Sequence, residues 1–225
     1  MSIAIIALFS VCILVYIIMF TYWVLSFERT GSKKFNFLTY FPFELNAYRR
    51  NAKDSFLNLG LIIISFILFI APSIIFALVH FNQGESKIIS SVFLMICFIL
   101  GAIVFVLLLF TKLSLFKEHL ILVCFFIGIT MLLIVLEAIF FTSLKLTYYD
   151  VSKPYMSYIT LAINILQLIF EFVLLLNPKY KIFHKMVRID AETFSRPKIN
   201  YLACLEWGTF INLLICYIPL IILSF

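Results

Sequence analysis

Six long apolar runs constrain this chain more than any other feature. They cover residues 3–27, 56–81, 88–110, 120–141, 157–176 and 202–225. At a helical rise of about 1.5 Å per residue, each can cross a hydrocarbon core of about 30 Å. Barrel strands are disfavoured, because they alternate apolar and polar residues and these runs do not. Composition leaves no soluble alternative. With 64% hydrophobic and 12% charged residues among 225, the chain cannot build the polar shell of a soluble domain. The sequence therefore predicts an all-α integral membrane protein, with six transmembrane helices in a single polytopic domain over 1–225. The first run lacks a basic leader and a small-residue cleavage site, so it is expected to remain in the mature protein.

The basic residues set the expected orientation. Arg29, Lys33, Lys34, Arg49, Arg50 and Lys53 fall in the first connection, Lys112 and Lys117 in the third. Lys179, Lys181, Lys185, Arg188, Arg196 and Lys198 fall in the fifth, leaving only Lys87, Lys145 and Lys153 on the other side. Fourteen of the 17 basic residues thus share one side, which the positive-inside rule assigns to the cytoplasm. The reading is a cytoplasmic-membrane protein with both termini outside. The same asymmetry accounts for the net charge of +6 without a nucleic-acid partner.

The two long cytoplasmic connections share a character. In "FNFLTYFPFELNAYRRNAKD" Pro42 suits the first turn of a helix. Phe41, Leu45 and Tyr48 then recur at helical spacing, with Arg49 and Arg50 beyond them. In "KYKIFHKMVRIDAETFSRPK" Ile182, Phe183, Met186 and Ile189 line one side, and Lys181, Lys185 and Arg188 another. Both read as short amphipathic interfacial segments against anionic inner-leaflet headgroups, where each cation contributes about 1 kcal/mol. Their aromatic content exceeds what a topology signal needs. Phe41, Phe43, Tyr48, Arg49, Arg50, Phe183, Lys185 and Arg188 are therefore expected to form a docking surface. Its partner would be a protein in the membrane or at its cytoplasmic face.

Carboxylates inside spans ask for a reason, since a charge at mid-bilayer costs at least about 2.5–3.5 kcal/mol on insertion scales. Glu171 and Glu206 lie at similar depths from the cytoplasmic ends of the fifth and sixth spans. Asn164, Gln167 and Glu171 share one helical face, and Glu206, Thr209 and Asn212 nearly share another, with Gly208 permitting close approach. If these spans pack together, Glu171, Glu206, Asn164, Gln167 and Asn212 form an intramembrane polar path. Glu137, near the outer end of the fourth span, reads as a residue that snorkels to the interface. Pro72 and Pro219 interrupt the second and sixth spans, with Ser73 placed to satisfy a carbonyl that Pro72 frees.

Reactive constellations are missing from the sequence. It has no H-E-x-x-H, G-x-S-x-G or P-loop. His80, His119 and His184 stand singly at membrane boundaries. The five cysteines fall within spans without a C-x-x-C pair. No metal, cofactor or enzymatic activity is expected. The sequence points to a non-enzymatic membrane protein, first as an accessory or docking subunit of a larger assembly. The alternative is a small transporter or ion-conducting protein using the path between the fifth and sixth spans.

Overall fold

In the computed structural model the described residues are 2–31, 34–42, 44–46, 55–80, 85–111, 116–147, 154–177 and 199–223. The structure is 91% helical, with no strand among the described residues. The helices are α1 (Ser2–Gly31), α2 (Ser55–His80), α3 (Glu85–Phe110), α4 (Phe116–Thr147) and α5 (Pro154–Leu175). A sixth span follows as α6 (Tyr201–Ile215) and the short α7 (Tyr217–Leu223). Six spans are long and apolar enough to cross a membrane, so the chain is an all-α, multi-pass membrane protein. Helix is the answer lipid imposes, because every backbone N–H and C=O must find its partner within the segment.

Neighbours in sequence are neighbours in space. α1 packs on α2, α2 on α3, α3 on α4 and α4 on α5. The sixth span lies against all five. Trp207 meets Phe20 of α1 at a centroid distance of 5.1 Å, and Tyr217 meets Phe69 of α2 at 5.1 Å. Phe210 stacks on Phe105 of α3 at 4.2 Å, Glu206 reaches His119 of α4, and Asn212 reaches Glu171 of α5. The sixth span has the lowest mean hydropathy of the six, yet 67% of its most apolar stretch is buried, against 22% in the first and fifth. Lipid accepts only apolar surface, so the least apolar helix is the one the other five cover.

Proline shapes two of these helices. Pro219 lacks the N–H that would bond the Ile215 carbonyl, and its ring crowds that oxygen; α6 ends at Ile215 and α7 begins at Tyr217. The expected single run over 202–225 is thus two helical pieces. α2 continues through Pro72. There the Ser73 hydroxyl donates to the Ile70 carbonyl at 2.7 Å, and the Tyr217 hydroxyl of α7 donates to the Phe69 carbonyl. The carbonyl that Pro72 leaves without its N–H is that of Leu68, so the expected rescue by Ser73 is not what forms: the two hydroxyls add bonds to the Ile70 and Phe69 carbonyls beside it.

The first connection does not lie apart from the bundle. Phe41 caps a short turn in which Pro42 takes the first helical position, and the Glu44 Oε2 accepts the Phe41 N–H at 2.9 Å. A buried chain then ties this turn down. Trp23 Nε1 donates to Asn58 Oδ1 (2.6 Å), Asn58 Nδ2 to Asn46 Oδ1 (2.8 Å), and Asn46 Nδ2 to the Leu109 carbonyl (2.7 Å). On the other side the Asn200 N–H donates to the Leu38 carbonyl, and Trp207 Nε1 to the Tyr40 carbonyl. Residues 34–42 and 44–46 are thereby fastened to α1, α2, α3 and the start of α6.

Candidate functional site: a buried polar line

One face of α5 carries the site. Among its described residues the fully buried ones are Thr160, Asn164, Gln167 and Glu171, at 0%, 0%, 4% and 0% exposure. Offsets of four, three and four place them in one stripe, about 16 Å long at the helical rise. The apolar side chains Ile165, Leu166, Ile169, Phe172 and Val173 are exposed on the other sides, towards lipid. The helix is inverted relative to a soluble amphipathic helix: polar groups face in and apolar groups face out.

α6 answers this stripe along its own length. Gln167 Nε2 donates to the Asn212 carbonyl at 2.9 Å, and Asn212 Nδ2 donates to the Gln167 carbonyl at 3.1 Å. Asn212 Nδ2 also donates to Glu171 Oε1 (3.1 Å), and the Thr209 hydroxyl donates to Glu171 Oε2 (3.2 Å). Glu171 therefore has both oxygens occupied by donors from α6. Gly208 makes this approach possible. A Cβ there would stand 2.6 Å from Leu174 Cδ1 and 3.2 Å from the Phe170 ring.

The line extends at both ends. In the amide orientation that satisfies both of its ends, Asn164 donates to Gln167 Oε1 (3.1 Å) and to Glu137 Oε2 (3.2 Å). Glu137 is 0% exposed, so it does not snorkel. The expectation failed because α4 runs on to Thr147, beyond the end of the apolar run, which sets Glu137 deeper in the bundle. One turn before Thr209, Glu206 pairs with His119 of α4, Oε1 to Nε2 at 2.7 Å, and both residues are 1% exposed. Phe41 sets its ring edge-on to His119 at 5.7 Å, and Glu44 lies within electrostatic range of Glu206. Among the described residues, Glu137 Oε1 and Glu206 Oε2 find no hydrogen-bond partner.

Four of the five expected path residues lie on the α5–α6 seam, and Glu206 does not. Asn164, Gln167, Glu171 and Asn212 share direct hydrogen bonds, whereas Glu206 engages His119 on α4. Carboxyl, imidazole and hydroxyl groups can each hold and pass a proton, and the amides fix their positions. Among the described residues no group of three or more His, Cys, Asp or Glu side chains could hold a metal ion.

The expected docking surface fares differently. Phe41 is 4% exposed and Leu45 0%, both inside the bundle core. Phe35, Phe37 and Tyr40 pack on Phe27 and Trp207, with Phe27 to Tyr40 at 4.7 Å and Phe37 to Trp207 at 5.1 Å. Phe35, Tyr40 and Phe41 therefore serve the chain's own packing, Phe37 packs on Trp207 while staying half exposed, and Phe41 presents no surface to a partner. Phe43, Tyr48, Arg49, Arg50, Phe183, Lys185 and Arg188 lie outside the described residues.

Sequence reasoning missed His119, Glu137 and Thr160. Thr160 was within reach, since it continues the face of Asn164 one turn earlier. His119 carried no such signal, because its partner is 87 residues away. No protein-family model, curated protein or solved structure matches this chain.

Proposed function

We propose that this chain is a non-enzymatic small transporter or ion-conducting protein of the cytoplasmic membrane, with a proton- or cation-linked path along the α5–α6 seam. The observation that supports it most is the face of α5, which buries Thr160, Asn164, Gln167 and Glu171 and leaves its large apolar residues to lipid. Helices that need only cohere in a membrane approach through small residues with an occasional polar contact. A continuous polar stripe with ionisable groups facing the bundle interior is the usual mark of an ion or proton pathway. In this reading Glu171 and Glu206 carry the charge, and Asn164, Gln167 and Asn212 line the way. The basic connections lie in the cytoplasm against anionic headgroups, with both termini outside. Reconstituted in liposomes, the protein should give pH-dependent flux that Glu171→Gln or Glu206→Gln abolishes. Flux unaltered by both changes would remove the path from the function.

A second reading, an accessory or docking subunit of a membrane assembly, draws on Phe37 and Leu38. They are 53% and 49% exposed beside the start of α6, and this aromatic-basic end of the molecule would receive the partner. A mild-detergent pull-down that loses its partner when Phe37 and Leu38 are changed to Ser supports it; recovery of the chain alone does not.

A further inference from the structure

Resting on the transporter reading, we infer that the buried polar line conducts protons rather than metal cations, and that His119, paired with Glu206, is its inner proton port. The direction of the hydrogen bonds carries the argument. A hard cation needs about six to eight oxygen lone pairs converging on one point. Here hydrogens converge instead. The Thr209 hydroxyl and the Asn212 amide both donate into Glu171, and the Asn164 amide donates into Glu137. The Asn212 and Gln167 carbonyls, the oxygens best placed to complete a cation shell, already accept each other's amides. Donors held against carboxyl oxygens disfavour a cation beside them but accommodate a proton on the carboxyl group itself.

His119 supplies the port. It sits in the first turn of α4 and Glu206 in the second turn of α6, so the pair is at the end of the bundle that bears the basic connections. At 2.7 Å the transfer is direct. The Nε2–H bond of the imidazolium breaks as an O–H bond forms on Glu206, leaving a neutral imidazole beside a carboxylic acid, with the charge of the pair unchanged. Glu44 of the first connection faces Glu206 electrostatically, and the Phe41 ring lies against the imidazole. One turn along α6, Thr209 donates to Glu171, while Glu206 Oε2 has no hydrogen-bond partner among the described residues, so the step from Glu206 to Glu171 has no preformed hydrogen bond.

The test uses the full chain in phosphatidylethanolamine–phosphatidylglycerol vesicles. An internal pH dye reads proton entry under an imposed potential, and tracer sodium and rubidium uptake is read in parallel. The expected result is proton entry without tracer uptake. His119→Gln, whose amide can still donate to Glu206, should lower proton entry about tenfold or more. Tracer uptake with no proton entry overturns the proton assignment while leaving a conducting protein. Proton entry unchanged in His119→Gln overturns the port. The absence of any ion flux overturns the transporter reading together with this inference.

Discussion

Gln167 and Asn212 exchange hydrogen bonds across the α5–α6 seam, each side-chain amide donating to the other's backbone carbonyl. The exchange fixes the register of two antiparallel helices, because both bonds form only when these residues stand level. That register brings Thr209 and Asn212 to the two oxygens of Glu171.

Replacing Asn212 by Leu removes donors from both the Gln167 carbonyl and Glu171 Oε1. Interhelical hydrogen bonds in membranes average about 0.6 kcal/mol, so losing two is expected to cost about 1–2 kcal/mol. Unfolding of the purified variant by a denaturing detergent in bicelles would measure it. Thr209→Val, which removes the donor to the other oxygen, should add less in the Asn212→Leu background than alone, since the two residues serve one carboxyl group.

Gly208 is the closest point of the seam. Gly208→Ala would set a methyl group 2.6 Å from Leu174 Cδ1, but that atom ends a flexible side chain that can turn aside, so the net cost is expected to stay below about 1 kcal/mol. Leu174→Ala in the same chain should recover most of that loss. A loss above about 3 kcal/mol in Gly208→Ala would show that Leu174 cannot turn aside.

The Tyr217 hydroxyl satisfies the Phe69 carbonyl, three residues before Pro72. Tyr217→Phe should therefore destabilise the parent chain by about 0.6 kcal/mol. In a Pro72→Ala background the same change should cost about as much, because Pro72 withholds its N–H from the Leu68 carbonyl and not from that of Phe69. A double-mutant cycle reads the coupling directly.

Asn58 links Trp23 to Asn46, and through it the first connection to the bundle. Asn58→Leu leaves the Trp23 N–H and the Asn46 amide short of partners at a cost of about 1–3 kcal/mol for each stranded group. Hydrogen exchange in residues 34–42 and 44–46 should rise more than exchange at the centre of α3. A uniform rise across the chain would mean that the connection is not a separately held unit.

Much of this architecture is legible in the sequence, for a physical reason. Lipid allows few ways to bury a backbone, so six apolar runs become six helical spans, and the offsets of Asn164, Gln167 and Glu171 already place them on one face. The end of a helix is less legible than its middle. α4 continues past its apolar run to Thr147, and Glu137 moved from the expected interface to the interior with it. Pairing between distant helices is not legible at all: nothing near His119 announces Glu206. The aromatics of the first connection misled for a different reason. Rings that could serve a partner are equally suited to packing on Phe27 and Trp207, and only the fold shows which surface they meet.

The most direct test of the central claim sets flux and stability side by side in Glu171→Gln. The glutamine side chain keeps an oxygen for Thr209 or Asn212 but cannot exchange a proton as a carboxyl group does. Proton entry into liposomes is expected to fall about tenfold or more, while resistance to denaturing detergent stays within about 1 kcal/mol of the parent chain. Undiminished proton entry in the folded variant would contradict it, and would leave the polar line as the contact that holds α5 to α6.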